Sequence, residues 1–194
     1  MAESKLRIGV LAIQGNFAAH AAALSEVGAE PVEVRKPEQI SGLDGLVIPG
    51  GESTTILKFL ERDGFFETLR KFVTTKPTFG TCAGSILLAK EVVHPAQKSL
   101  GVLDATVERN AYGRQIDSTI LAGKTSLPGG PMEMVYIRAP RILRVGAGVE
   151  VLAERDGFPV LVRQGRLLAA TFHPEMSPDR RVHRLFIEMA NSSK

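Results

Sequence analysis

Leu6 to Ile13 is a continuous apolar run of β-forming residues, patterned like a strand buried on both faces of a parallel sheet. Gln14-Gly15-Asn16 breaks it. Phe17, Ala21 and Leu24 then recur at helical spacing until Gly28, a natural C-cap. Pro31 to Val34 reads as a second strand and Gly45 to Ile48 as a third, followed by the loop Pro49-Gly50-Gly51-Glu52-Ser53. Ser53 or Thr54 is placed to cap the next helix, whose Ile56, Leu57 and Leu60 share a face. Gly64 punctuates, and Phe65, Leu69, Phe72 and Val73 mark another amphipathic helix before a short strand at Pro77. Strand and helix alternate throughout. The expectation is a flavodoxin-like, doubly wound α/β fold, its mostly parallel sheet flanked by helices.

After Lys90 the period changes. Val102–Glu108, Met134–Ile137, Val149–Ala153, Pro159–Val162 and Leu167–Phe172 are strand candidates, with turn signals at Asp156-Gly157 and Gln164-Gly165. These predict antiparallel additions to the sheet. Leu121 to Pro131, rich in glycine and proline, reads as a surface loop. A last helix is expected with Ser177 as cap, Pro178 at its first position, and Val182, Leu185, Phe186 and Met189 as its buried stripe. Arg180, Arg181 and Arg184 fall on its solvated face.

Composition narrows the class. A chain of 194 residues, 44% hydrophobic and 23% charged, fits one soluble globular domain spanning 1–194. A net charge of +3, spread along the chain, makes no case for nucleic acid. One cysteine excludes an intrachain disulfide and a multi-cysteine zinc site, and suits a reducing compartment. No apolar run approaches the roughly 20 residues of a membrane span. A cytoplasmic protein is expected.

Three stretches carry chemistry. The short strand at Thr78 runs into Gly80-Thr81-Cys82-Ala83-Gly84 and then a helix-forming stretch, which is the layout of a nucleophile elbow with cysteine as nucleophile. The helix N-terminus favours its thiolate; the plain alternative is a small buried hydrophobe. Phe172-His173-Pro174-Glu175 follows a strand candidate. Pro174 biases His173 to the extended conformation, whose residues i and i+2 point to the same side, so Glu175 can reach the ring. A strand-end histidine beside a surface glutamate is the alternative. The glycines at 50 and 51 let backbone N–H groups point at a developing oxyanion, or equally cradle a phosphate; no Walker lysine is present. His20, His94 and His183 have no comparable setting and receive no role.

Together these stretches resemble the class I (triad) glutamine amidotransferases, and within them the glutaminase subunits of pyridoxal 5′-phosphate synthase. The markers are Gly9-Val10-Leu11-Ala12-Ile13-Gln14-Gly15, the segment from Val107 to Gln115, and Ile137-Arg138-Ala139-Pro140. The resemblance runs from Ile8 to Ala190. It implies Cys82 as nucleophile, His173 as general base and acid, and Glu175 as its orienting carboxylate. It also implies backbone oxyanion donors at Gly51 and Ala83, and substrate contacts at Gly51, Glu52, Ser53, Arg109, Ile137 and Arg138. The implied reaction is hydrolysis of L-glutamine to glutamate and ammonia, with ammonia passed to a barrel-shaped synthase partner. No metal and no cofactor are implied. Ser85, Met176 and the 118–134 region depart from the usual pattern.

Overall fold

The computed structural model describes residues 5–111 and 118–193. Strands β1 (Arg7–Leu11), β2 (Glu30–Val34), β3 (Gly45–Ile48) and β4 (Thr78–Thr81) run parallel. Helices α1 (Phe17–Glu26), α2 (Ser53–Leu60) and α3 (Phe65–Thr75) link them, and α4 (Ala83–Leu88) follows β4 directly. The second half adds β5 (Ala89–Val93), β6 (Leu103–Glu108), β7 (Ser118–Gly123), β8 (Met132–Ile137), β9 (Arg141–Val145), β10 (Glu150–Arg155), β11 (Phe158–Gln164) and β12 (Leu167–Ala170). Helix α5 (Arg181–Asn191) ends the described fold. The main sheet has the order β10-β11-β12-β4-β3-β1-β2, in which β12 lies parallel to β4 and β11 antiparallel to β12.

Strand alternation explains the two layers. Leu46 and Ile48 of β3 join one core with Ile56, Leu60, Phe65 and Leu69, under α2 and α3. Val47 points the other way, into a core with Ile8, Val10, Phe79, Leu168 and Phe186, beneath α1 and α5. Each large side chain buried this way contributes roughly 1.5–3 kcal/mol. That surplus holds the strained loop geometry at the sheet edge.

Several expectations need correction. The second half does not simply extend the main sheet: only β10 and β11 do so as antiparallel strands, while β5-β6-β9 and β7-β8 form separate sheets. Part of the expected 121–131 loop is strand, since β7 runs to Gly123 and pairs with β8. The turn at Asp156-Gly157 has positive φ at both residues (53° and 77°), the conformation of a tight hairpin turn. Helix α5 begins at Arg181, not at Pro178; the Ser177 hydroxyl accepts the Asp179 N–H (3.1 Å) and Asp179 accepts the Arg181 N–H (3.0 Å), which delays the helix. Nor are its basic residues all solvated. Arg181 donates to the carbonyls of Pro128, Gly130 and Pro131, pinning that loop, and Arg180 pairs with Glu26 at 2.6 Å. Arg184 alone of the three is exposed.

Candidate active site

Four neighbouring parallel strands, β12, β4, β3 and β1, end at the same edge of the main sheet. Their ends deliver His173, Cys82, Gly50-Gly51 and Gln14, all of which line one cleft. Open α/β sheets place their sites at this edge. Cys82 sits between β4 and α4 with φ 48° and ψ −106°, a strained conformation for a residue with a Cβ. The turn is tight enough that a Cβ at Gly84 would collide with the Ile48 carbonyl, and one at Gly80 with the Gly84 backbone. Ser85, one of the departures from the family pattern, has a local task here. Its backbone N–H (3.0 Å) and its hydroxyl (2.7 Å) both donate to the Cys82 carbonyl, fixing the elbow from inside.

The His173 N–H donates to Val135 of β8 (2.8 Å), and the ring Nδ1 lies 2.8 Å from Glu175 Oε1. Glu175 does not arrive by strand alternation. Pro174–Met176 is a 3-10 turn, and the turn brings the carboxylate back to the ring. The contact is as expected; the route differs. Burial disfavours the charged His173 ring, but hydrogen bonds to Cys82 and Glu175, and their negative charges, outweigh it and raise its pKa to about 10. Burial pushes the Glu175 carboxyl up, yet the bond to His173 and the nearby His20 and His173 rings bring it below its ordinary value.

The other expected residues surround this pair. Gly51, Glu52, Ser53, Arg109, Ile137 and Arg138 all line the cleft. Ala83 does not; it is the buried first residue of α4, where an amide has no partner within the helix. The Glu52 carboxylate accepts the hydroxyls of Thr54 and Thr55 (both 2.9 Å), Thr55 and then Thr54 holding its pKa below the ordinary value. Glu52 thus occupies the cap position expected of Ser53 or Thr54. The Ser53 hydroxyl is turned to Gln97 (2.9 Å). Arg109 and Arg138 come from the ends of β6 and β8, in the satellite sheets, and Arg138 has φ 44°. Residues 112–115 of the expected family marker lie outside the described residues.

A cysteine at a strained elbow, a carboxylate-held imidazole and a glycine loop beside them form a set for acyl transfer from an amide or ester. The comparisons decide the class: the SNO glutamine amidotransferase family is matched over residues 10–192. The chain belongs to that family. This amidotransferase is 66% identical over 187 residues to pyridoxal 5′-phosphate synthase subunit PdxT of Koribacter versatilis, covering 96% of this chain and 97% of the relative. It is 51% identical over 187 residues to the subunit of the same name from Thermus thermophilus, covering 94% and 97%. A solved glutamine amidotransferase superposes with a TM-score of 0.87 at 51% identity, over 95% of this chain and 98% of that one.

Sequence reasoning missed several side chains that hold the groups of the amidotransferase site. Gln14, a strand breaker and part of the first family marker, receives no site role from sequence, yet its side-chain carbonyl accepts the Glu52 N–H (3.0 Å). Asn16 Nδ2 stands 3.5 Å from Glu175 Oε1. His20 and His183, given no role from sequence, are fully buried behind Glu175. His20 Nε2 lies 3.0 Å from Thr81 Oγ1 and 3.3 Å from Glu175 Oε2, and its Nδ1 lies 3.1 Å from His183 Nε2. Burial lowers the pKa of His20 to about 4, Glu175 opposing and His173 reinforcing the shift; burial and the His20 ring lower that of His183 to about 3. Both rings are neutral near pH 7. Their signal in the sequence was positional: His183 lies next to Val182 and three residues before Phe186, inside the stripe that α5 buries. Among the described residues no helix is long and apolar enough to cross a membrane, and no cluster of three or more His, Cys, Asp or Glu could hold a metal.

Proposed function

We propose that Cys82, His173 and Glu175 perform the hydrolysis by which this chain, the glutaminase subunit of a pyridoxal 5′-phosphate synthase, releases ammonia from L-glutamine. The observation that carries the reading is the buried 2.8 Å contact between His173 Nδ1 and Glu175 Oε1 beside the strained Cys82. The Cys82 thiolate attacks the side-chain carboxamide. Backbone N–H groups of Gly51 and Ala83 hold the oxyanion that forms. Expelling ammonia needs a proton, and the electrostatics supply it on time. The Cys82 hydrogen bond and charge help hold the proton on His173. Once the sulfur is bonded to the carboxamide carbon in the tetrahedral intermediate, that hold is lost and the ring gives the proton to the nitrogen. Collapse of the oxyanion then breaks the C–N bond, releasing ammonia and leaving the glutamyl thioester. Neutral His173 then takes a proton from water, whose oxygen cleaves the thioester. Glutamate leaves, and thiolate and imidazolium return.

Substrate recognition divides by charge. The anionic Glu52 suits the α-ammonium of a free amino acid, and Arg109 and Arg138 suit its α-carboxylate. The ammonia goes to a barrel-shaped synthase partner within a cytoplasmic complex, and that partner aids turnover by steadying the Gly50-Gly51 peptide. The test is glutamate release by the reconstituted complex. Cys82→Ala and His173→Asn are expected to lower it by about 10⁴ or more. Appreciable turnover in either purified variant would remove these residues from the roles given.

A further inference from the structure

We infer that His20 is a positioning residue for the reaction, its Nε2–H holding the second oxygen of Glu175 so that the first stays aimed at His173. The inference rests on the reading of His173 as base and Glu175 as its orienting carboxylate, and adds the group that orients the orienter.

Glu175 Oε1 is engaged by His173, whereas Oε2 is buried without a well-formed hydrogen bond, His20 Nε2 standing 3.3 Å away. A carboxylate oxygen only accepts, so a useful neighbour must offer a proton. His20 has two neutral tautomers. With the proton on Nδ1, the ring would donate to His183 Nε2, leaving a buried N–H at His183 Nδ1, where no partner is found, and turning a lone pair towards Glu175 Oε2. With the proton on Nε2, the ring donates towards both Thr81 Oγ1 and Glu175 Oε2, and Nδ1 accepts from His183 Nε2–H. Only a bare lone pair at His183 Nδ1 then remains unpartnered, which costs less than an orphaned N–H. The second arrangement satisfies more groups.

The rings are also held in place. Phe79 packs edge-on against both, with centroids 6.0 Å from His20 and 5.8 Å from His183. Thr81, which shares the His20 proton, is the residue before Cys82, so the chain of contacts closes on the nucleophile's own strand. A cysteine, three histidines and a glutamate are therefore registered by one buried network. Releasing Oε2 would let the carboxylate rotate and loosen the His173 ring while leaving the cleft walls untouched.

Two measurements on the synthase complex test this. In histidine ¹⁵N NMR near pH 7, His20 is expected as the neutral tautomer protonated at Nε2; protonation at Nδ1 would overturn the inference without any variant. In kinetics, His20→Leu is expected to lower kcat about tenfold to a hundredfold with KM little changed, the range for losing an outer partner that orients a catalytic group. Its acid limb should also move to higher pH as Glu175 loses a donor. His20→Gln, which keeps an N–H near the Nε2 position, should recover most of the rate and restore the limb. A pure packing role would predict no such rescue. In a Glu175→Gln background His20→Leu should cost almost nothing further. If Glu175→Gln is impaired but His20→Leu is not, the positioning role fails alone; if Glu175→Gln is itself unimpaired, the triad reading fails first.

Discussion

The two sides of the cleft are built differently. One is the edge of the main sheet, where Cys82, His173 and Glu175 are nearly fully buried just beyond the ends of parallel strands. The other is a rim supplied by β6 and β8, where Arg109 is half-buried and Arg138 exposed, in strands that belong to separate small sheets. Parallel strands buried on both faces register their ends rigidly, which suits bond-making groups that tolerate little displacement. Long arginines on a solvated rim suit recognition, because reach and charge matter there more than fixed position. The edge should therefore govern kcat and the rim KM. Variants can break that division.

After the triad residues themselves, the largest effect is expected on the edge, at a residue with no functional atom. A Cβ at Gly15 would collide with the Gly50 carbonyl oxygen, and Gly15 itself has φ 82°. The Gly50 carbonyl and the Gly51 N–H share one peptide plane, so they point in opposite directions. Gly15→Ala should turn that plane and misdirect the proposed oxyanion donor. Losing one such donor costs about 10²–10³ in rate. Kinetics on the complex should show that loss in kcat with KM nearly unchanged; a KM effect instead would place this loop with the rim.

Arg109→Ala should behave in the opposite way. A charged hydrogen bond contributes about 1.5–3 kcal/mol, or about 10–100-fold in affinity. KM for glutamine should rise by that factor while kcat holds. A fall in kcat at constant KM would mean that the rim positions the reacting amide, and that the division is wrong.

How much of this was legible follows the same line. The elbow could be read because its glycines and cysteine sit at fixed offsets between a short strand and a helix-forming stretch, and β1 and β3 because strands buried on both faces read as continuous apolar runs. The His173–Glu175 contact was legible, although the chain makes it through a turn that Pro174 opens. The satellite strands were hard to read for a physical reason. Lys90 and Glu91 in β5, the exposed Ile120 and Leu121 in β7, and the mixed Arg141–Val145 of β9 carry no clean alternation, since neither face is consistently buried. The His20–His183 contact spans 163 residues, and no local pattern encodes a pairing at that distance.

The last effect is silent at neutral pH and bears on the buried edge alone. The edge holds two buried neutral histidines, His20 and His183. In the unfolded chain His20 and His183 take up protons near their ordinary value of 6.5; in the fold they do so only near 4 and 3. Between pH 6.5 and 4 the unfolded state therefore binds up to two more protons, and stability falls as pH falls, by about 1.4 kcal/mol per unit for each ring. Glu175, also lowered, reinforces this loss only below its own ordinary value of 4.5. His173, raised to about 10, has the opposite sign: its contribution is complete below 6.5 and is lost as pH rises towards 10. The window from 6.5 to 4 thus belongs to His20 and His183. Urea unfolding of the isolated chain at a series of pH values should show that slope, and His20→Gln should cut it by about half over the same window. An unchanged slope would mean that the His20 ring keeps access to water, and the buried edge would then be wetter than its packing implies.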